Sequence, residues 1–442
     1  MAEATLHTLT ERPQPPRSYR WIVLFFVSLP MLGNYYIYDA INPLVDIFTK
    51  QLGFSNEQIG WLNSSYSVAA VLTLLIGGIM IDKLGTVKSI FIFSTLCLIA
   101  SILTALEGNF TAMVIGRVVL GLGAESLIVA VTTALAKWFK GKELSFAFGV
   151  NLTIARLASV AADNSPSWAS FAFYPHGAGS EPSWQGPLHL AIGFGVICVV
   201  GAVAYWWLEK SDETKYSLGK AGDVDKLEFK GLFSFGKSYW FIVGLCFAFY
   251  SAIFPFRTFA IKFFMDTQFN GVTENIARES SGFFNGLLPL SAMIATPLFG
   301  LLVDKVGKRA LFMVFGSILL MPVYLIMMYS GMTLWIPVIM MGVAFSLIPA
   351  VMWPSVAYIV DEKKLGTSFA LMTLIQQIGF FALNLLIGMA NDASSASSTN
   401  PGGYALGMWI FSTLGFLGMA FAFLLRRSET GPHAHGLETI KA

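Results

Sequence analysis

The sequence has few charged residues, because Asp, Glu, Lys and Arg make up only 12% of its 442 residues. Soluble domains carry about a quarter charged residues, so this chain lacks the charge needed to cover the surface of two or three soluble domains. A net charge of +2 also excludes a protein whose main partner is a nucleic acid. Hydrophobic residues reach 55%, and they occur in long runs. These proportions predict an integral membrane protein that lies in a lipid bilayer, and they exclude a disordered chain.

Only three cysteines are present, and each of them (Cys97, Cys198 and Cys246) lies in an apolar segment. Their spacing excludes a disulfide scaffold and a zinc or redox motif. The five histidines also lack the spacing of a metal site, and no P-loop is present to hold ATP. The sequence therefore predicts no cofactor, no metal and no enzymatic activity.

Segments of about 20 apolar residues, the length that crosses a bilayer as a helix, occur twelve times. The sequence therefore predicts an all-α membrane protein with 12 transmembrane helices. The predicted spans are residues 20–48, 58–81, 88–106, 110–136, 143–163, 187–208, 239–265, 282–303, 310–330, 333–360, 366–390 and 403–425.

The longest polar stretch divides these spans into two sets of six. It predicts an N-terminal bundle at 1–208, a cytoplasmic linker at 209–238, and a C-terminal bundle with a cytoplasmic tail at 239–442. Of the 28 basic residues, 22 lie on the same side of the predicted membrane as the two termini. Because Lys and Arg concentrate in cytoplasmic loops, we expect both termini to be cytoplasmic.

The pattern G-x-x-x-D-K-x-G occurs twice, after spans 2 and 8, and we call these segments the repeat loops. A positive-inside anchor would explain the lysines of each loop, but not its aspartate and two glycines. The glycines permit close helix approach and a tight turn, and the aspartate can pair with nearby basic residues. The residues are Gly78, Asp82, Lys83 and Gly85 in the first copy and Gly300, Asp304, Lys305 and Gly307 in the second.

The repeat loops resemble the signature of the major facilitator superfamily, and the resemblance covers the whole chain. It implies two pseudo-symmetric six-helix bundles that form a secondary transporter, with the repeat loops as parts of its gate. Thr86 stands where the family usually has a basic residue, so the first copy is expected to hold less firmly. Arg117, with Gly121 and Gly123, matches a span 4 pattern in which the arginine organises a polar network and belongs to the gating residues.

Ionisable residues at bilayer depth are costly, on the order of 3 kcal/mol each by insertion scales, so the few present are informative. Glu125 in span 4 and Arg156 in span 5 place an acid and a base on adjacent helices. They could form a structural ion pair that holds the two spans together. They could instead face a wet central cavity and receive the ammonium and carboxylate groups of one zwitterion, since a guanidinium matches a carboxylate bidentately.

Other polar and aromatic residues are predicted at similar depth. We expect Asp39 and Lys262, near the outer ends of spans 1 and 7, to form an outer gate. Pro255 and Pro354 are expected to break or kink spans 7 and 10. With Glu125 and Arg156, the predicted substrate-binding residues are Tyr36, Tyr38, Asn63, Tyr66, Tyr250, Lys262, Trp353 and Gln377.

Four stretches resemble one branch more closely, the major facilitator superfamily domain-containing protein 1 family of lysosomal dipeptide transporters. They are YYIYD at 35–39, residues 121–130 and 138–159 with Glu125 and Arg156, IFPFRTFAIKFF at 253–264, and MWPSVAYIVDEKKLGTSFALMTLIQQIG at 352–379. The resemblance implies uniport-like movement of dipeptides, with Glu125 and Arg156 engaging the two termini of the peptide.

The chain departs from that family in its short outer loops and in lacking an acidic dileucine signal before span 1. We therefore expect a prokaryotic plasma-membrane relative that works as a monomer without an accessory luminal subunit. The predicted mechanism is rocker-switch alternating access on dipeptides or similar small zwitterions. Two alternatives stay open: a proton-coupled carrier of organic anions, with Glu125 carrying the proton, and a non-transporting receptor or scaffold.

Overall fold

The computed structural model describes residues 15–139, 143–177, 179–212, 235–361, 364–432 and 434–440, and most of them are helical. Lipid offers no hydrogen-bond partner to a peptide group, so each apolar run satisfies its backbone within a helix. Polar residues set the ends of some helices. Ser55 begins α3 with a capping box, in which its Oγ accepts from the Gln58 N–H (3.1 Å) and the Gln58 side chain accepts from the Ser55 N–H (3.0 Å).

Among the described residues, the N-terminal half contains eight helices, of which five are long enough to form its scaffold. Its first helix leads through a 3₁₀ turn at Asn42–Leu44 into a short second one. The helices are α1 (Arg17–Asp39), α2 (Val45–Gln51), α3 (Asn56–Ala105), α4 (Phe110–Phe139), α5 (Leu144–Asp163), α6 (Ser165–Trp168), α7 (Ser170–Phe173) and α8 (Gln185–Asp212).

The described residues of the C-terminal half form seven helices. Its third and fourth occupy the single predicted span 310–330, which divides at Pro322 because proline cannot donate a backbone hydrogen bond. The helices are α9 (Lys237–Asp266), α10 (Glu274–Val306), α11 (Arg309–Leu320), α12 (Val323–Tyr329), α13 (Trp335–Ile359), α14 (Leu365–Ala393) and α15 (Ala405–Glu429), with a 3₁₀ turn at Pro401–Tyr404 before the last.

Eleven segments among the described residues are long and apolar enough to cross a membrane. The predicted second and third spans are joined in α3, where only Gly85 leaves the helical conformation (φ 79°, ψ 167°). Gly307, at the matching position of the second repeat loop, also has a positive φ of 73°. Both copies therefore use the backbone freedom of this glycine for their turn. The predicted 12-helix, two-bundle fold class is confirmed.

Most of the predicted linker at 209–238 lies outside the described part of the chain. Helix α8 continues to Asp212 and α9 begins at Lys237, while residues 213–234 lie outside the described part of the chain. Pro255 and Pro354 do not break their helices, because α9 and α13 continue through them.

The two halves meet along α3 with α14 and along α5 with α10. Gly60 of α3 and Gly388 of α14 make the first of these contacts close, since a Cβ on either would collide with the backbone of the facing helix. Contacts between the halves concentrate at the predicted outer end. A cavity remains between the halves near the middle of the bundle.

Candidate functional site

The central cavity has a volume of about 840 Å³, which includes part of its open mouth. The N-terminal half contributes most of the polar wall, and the C-terminal half contributes most of the aromatic wall. The lining residues are Asn34, Tyr35, Tyr38, Asp39, Tyr66, Glu125, Ile128, Arg156, Ser159, Tyr250, Phe254, Arg257, Trp353, Thr373, Gln376, Gln377 and Phe380.

Glu125 is held in the cavity wall by one residue from each half. The Tyr66 hydroxyl donates to its Oε1 at 2.8 Å, and the Gln377 amide donates to the same atom at 3.0 Å. Both donors lie on other helices, α3 and α14, so they fix the carboxylate without using Oε2. The second oxygen is therefore available to a ligand.

Arg156 lines the same cavity but is engaged differently. Its guanidinium carbon lies 5.4 Å from the centroid of the Phe345 ring. Within the described residues, no hydrogen bond or ion pair engages its side chain, and the structural ion pair with Glu125 is not formed. An arginine in this position presents five N–H donors to the cavity.

An aromatic group from α9, α13 and α14 covers the opposite wall. The Trp353 indole N–H donates to the Tyr250 hydroxyl at 2.8 Å, which fixes both rings. Phe254 lies between Tyr250 and Phe380, with ring centroids 5.8 Å and 4.8 Å away. The cavity thus combines the charged groups of Glu125 and Arg156 with a cluster of aromatic rings from the C-terminal half.

Arg117 supports the polar wall from behind and does not line the cavity. It is 1% exposed, and it donates to the carbonyl oxygens of Leu62 (3.3 Å) and Tyr38 (3.1 Å) and to the Asn63 side chain. Its guanidinium also lies 5.6 Å from the Tyr66 ring centroid. These contacts tie α1, α3 and α4 together beside the donor that holds Glu125.

A buried polar cluster closes the predicted outer end of the cavity, and we call it the outer lock: Asp39, Asn42, Asp163, Arg257 and Asn285. Arg257 Nη2 donates to Asp163 Oδ2 (2.7 Å) and to Asp39 Oδ2 (3.4 Å). The Asn42 amide donates to both carboxylates, at 3.2 Å and 3.1 Å. The Asn285 amide donates to Asp163 at 2.9 Å. The outer lock therefore joins α1 and α5 to α9 and α10.

Two further contacts join the halves beyond the outer lock. Arg278 of α10 pairs with Asp46 of α2 at 2.7 Å, and its side chain is fully buried. Asp392 of α14 caps the start of α3, accepting from the N–H groups of Asn56 (2.9 Å) and Glu57 (2.7 Å). A carboxylate at this position also favours the positive end of the α3 dipole. The predicted outer end is consequently closed.

Seven of the ten predicted substrate-binding residues line the central cavity: Tyr38, Tyr66, Glu125, Arg156, Tyr250, Trp353 and Gln377. The other three lie elsewhere. Tyr36 stacks on Phe194 with ring centroids 3.6 Å apart. Asn63 bonds to Arg117 and to Thr258 at 2.9 Å. Lys262 pairs with Asp266 at 2.7 Å.

The expected outer gate between Asp39 and Lys262 is wrong in its basic partner, which is Arg257. Five residues separate Arg257 and Lys262 on α9, so their side chains point about 140° apart around the helix. Arg257 faces the N-terminal half, whereas Lys262 faces Asp266 and the Tyr404 hydroxyl, 2.7 Å away.

The sequence analysis missed the outer lock. Asp39 and Arg257 carry a detectable signal, since both are charges inside apolar spans, whereas Asp163 is the last residue of the predicted span 143–163 and does not stand out there. Tyr35 and Gln376 also line the cavity. Each lies next to a predicted substrate-binding residue in the same polar run, Tyr36 or Gln377. Only the rotation of α1 and α14, which the pattern does not define, distinguishes such neighbours.

The two repeat loops differ in how their aspartate is placed. In the second copy Asp304 pairs with Arg309, and Arg309 is 2% exposed and lies 4.9 Å from the Tyr358 ring centroid. In the first copy Asp82, Lys83 and Gly85 are exposed. A Cβ on Gly300 would meet no neighbouring atom, so close helix packing is not the role of that glycine here.

Comparisons with known proteins agree with this architecture. The sequence profile of the Major Facilitator Superfamily matches residues 24–383. The chain is 31% identical to the lysosomal dipeptide transporter MFSD1 of Danio rerio over 85% of this chain and 81% of the relative. It is 29% identical to MFSD1 of Homo sapiens over the same shares. Among solved structures, a bacterial homologue of the human lysosomal transporter Spinster, in an inward-facing and unoccupied conformation, has a TM-score of 0.74 at 16% identity. That alignment covers 94% of this chain and 98% of the other.

Proposed function

The chain belongs to the Major Facilitator Superfamily, and from that membership we propose that it moves dipeptides across a membrane as a uniporter. The observation that carries the proposal is the cavity itself. It presents a guanidinium with no protein hydrogen bond within the described residues and a carboxylate with one oxygen in reserve. A dipeptide carries an ammonium at one end and a carboxylate at the other. These two charges complement the carboxylate of Glu125 and the guanidinium of Arg156.

Arg156 would receive the peptide carboxylate, because its planar fork can donate two parallel hydrogen bonds. Glu125 would receive the peptide ammonium through Oε2, with Tyr66 and Gln377 holding Oε1. The relatives named as dipeptide transporters support this assignment, since the chain covers four-fifths of their length. The aromatic wall of Tyr250, Phe254 and Trp353 would face the peptide side chains.

The transport cycle would alternate the side of the membrane on which this cavity opens. With both termini in the cytoplasm and the protein in the plasma membrane, the closed outer lock makes the present conformation inward-facing. Opening the outer lock while the two repeat loops approach each other would expose the cavity to the outside. The proposed protein works as a monomer and needs no luminal subunit.

The test is a thermal-shift screen of the purified protein against dipeptides, tripeptides, single amino acids and organic anions. A ligand at 100 times its dissociation constant should stabilise the protein by about 2.7 kcal/mol. We expect dipeptides to raise the melting temperature, and we expect Glu125→Gln or Arg156→Ala to remove the shift. A shift with organic anions alone would contradict the dipeptide substrate.

Proton coupling is tested separately, in proteoliposomes that contain a pH-sensitive dye. A uniporter of neutral zwitterions should accumulate no proton with its substrate. Acidification of the lumen in proportion to dipeptide uptake would instead favour a proton-coupled carrier. A receptor or scaffold on the same fold would bind without any uptake.

A further inference from the structure

A second cavity lies at the first repeat loop, away from the central one. It has a volume of about 780 Å³, including its open mouth, and it is enclosed by the turn of α3, the end of α4 and the end of α8. Its lining includes Val87, Lys88, Lys137, Trp206, Glu209 and Lys210. Nothing in the transport site uses these residues.

The lining is basic. Lys88 and Lys210 are exposed, and Lys137 is the third lysine. The one acid, Glu209, is 1% exposed and is already bound by Lys137, by the Tyr205 hydroxyl and by the Trp138 indole N–H at 3.2 Å. Its charge is thus neutralised within the protein. The cavity is left with an excess of positive charge that faces solvent or headgroups.

The second repeat loop provides an internal comparison, because its residues lie 222 positions after those of the first. There Arg309 and Leu311 begin α11, and their N–H groups donate to the chain's own C-terminal tail. The Arg309 N–H bonds to the Leu437 carbonyl (2.8 Å), and the Leu311 N–H bonds to the Glu438 carboxylate (2.9 Å). A carboxylate therefore occupies the helix start that follows the second loop.

The matching positions of the first copy are Val87 and Ser89, which resume α3 after Gly85. Val87 supplies no guanidinium to pair with an acid, and the basic cavity opens beside this turn. Within the described residues, no carboxylate occupies this position of the first copy, and the basic cavity lies there instead. Two independent features, the lysine lining and the occupied pseudo-symmetric position, point to an anionic ligand.

Two tryptophans indicate the depth of the cavity in the membrane. Trp206 lines it and packs edge-to-face on Phe91 at 5.3 Å, and the neighbouring Trp207 is 72% exposed. Tryptophans mark the interfacial layer of a bilayer, and basic pockets between helices on the cytoplasmic side suit anionic headgroups. We propose that this cavity binds a phosphate group, supplied by an anionic phospholipid of the cytoplasmic leaflet.

The experiment measures the melting temperature of the full-length protein in neutral detergent during titration with dioleoyl phosphatidylglycerol, dioleoyl phosphatidylcholine or inorganic phosphate. Stabilisation by phosphatidylglycerol well below the concentration at which phosphatidylcholine acts supports the proposal. Saturation by millimolar inorganic phosphate, with competition against phosphatidylglycerol, would support the phosphate site and assign its source to soluble phosphate. Equal responses to the two lipids and no response to phosphate would overturn it.

Two variants localise the effect. Lys88→Gln with Lys210→Gln should weaken the response to phosphatidylglycerol by roughly 30-fold, since each lysine near the membrane surface contributes a similar share of the attraction to an anionic lipid. The matched control is Lys237→Gln with Lys308→Gln, which removes two exposed lysines of the C-terminal half and should leave the response unchanged.

Val87→Arg supplies a second test that does not remove any lysine. It places in the first copy the arginine that the second copy has at the matching position. Because the added guanidinium increases the positive charge beside the cavity, we expect this variant to remain folded and to respond to phosphatidylglycerol at a lower concentration than the unmodified protein. An unchanged response in both Val87→Arg and the double lysine variant would contradict the site.

Discussion

Arg156 differs from the other arginines of the membrane core because, within the described residues, its guanidinium contacts the Phe345 ring but makes no hydrogen bond or ion pair. Arg117, Arg257 and Arg278 are each nearly or fully buried and each bonds to side chains of other helices. A guanidinium deprived of both water and partner would be very costly. Arg156 can remain free because it faces a cavity, and a ligand carboxylate would replace water there with two charge-assisted hydrogen bonds.

Two tyrosines of the predicted site allow a matched test at this scale. Tyr66→Phe removes the hydroxyl that donates to Glu125, so we expect dipeptide affinity to fall roughly 3- to 10-fold, the effect of one lost hydrogen bond. Tyr36→Phe retains the ring stacked on Phe194, and it should leave affinity unchanged. Dipeptide titrations monitored by thermal shift give both values. Equal losses in the two variants would contradict the placement of these side chains.

Glu125 and Arg156 could be found in the sequence because ionisable residues inside apolar spans are rare. Tyr36 and Lys262 could not be rejected there, since a tyrosine or a lysine near the cavity depth looks the same whichever way it faces. Successive residues on a helix point about 100° apart. Tyr35 therefore reaches the cavity while Tyr36 packs against α8, and only the packed helices define that rotation.

At the scale of helices, the crossing of α3 and α14 depends on small residues. Gly388 lies against the backbone of Asn56 and Glu57, the residues that Asp392 caps. This arrangement allows the two helices to close the predicted outer end without an intervening side chain. A helix crossing this close tolerates no added methyl group without a shift of the backbone.

We therefore expect Gly388→Ala to lower dipeptide uptake at least roughly 10-fold, because one turnover requires this crossing to form. Gly193→Ala on α8 is the control, since its Cβ would meet open space, and alanine favours a helix over glycine by about 1 kcal/mol. Uptake into proteoliposomes measures both. Normal uptake by Gly388→Ala would show that the crossing is not needed in transport.

The pattern of apolar runs predicts the helices well but not their continuity. Residues 82–88 read as a polar loop, yet α3 passes through them with only Gly85 outside the helical conformation. The reverse holds at Pro322, where one apolar run divides into α11 and α12. The hydropathy pattern indicates which segments lie in the membrane, whereas the continuity of a helix depends on single glycines and prolines.

At the scale of the whole molecule, the two-bundle plan follows from the duplicated loop and the two sets of six spans. The conformation does not follow from them, because a sequence that alternates between two states contains the contacts of both. The outer lock shows the difficulty. Its five residues come from α1, α5, α9, α10 and the turn after α1, so their association depends on the packing of four helices.

Cross-linking the closed end should separate binding from transport. Lys50 and Glu274, paired at 3.3 Å across the two halves, are changed to cysteine and joined with a short bismaleimide. We expect the joined protein to keep its dipeptide-induced thermal shift and to lose uptake, since the cavity could no longer open outward. The native cysteines are all buried, so they should react slowly.

The single variant Lys50→Cys, treated with the same reagent, controls for modification. It should transport as the unmodified protein does. Full uptake by the cross-linked double variant would mean that the predicted outer end does not need to separate during the cycle.

The polar character of the outer lock has a consequence for the surroundings of the protein. Opening it would hydrate two carboxylates, a guanidinium and two amides that are now within a few per cent of complete burial, so the opening would take up many water molecules. Solutes excluded from protein surfaces oppose such uptake. High external osmolarity would thus favour the conformation in which the outer end is closed. It would slow the opening of the protein to the outside without any dedicated sensor domain.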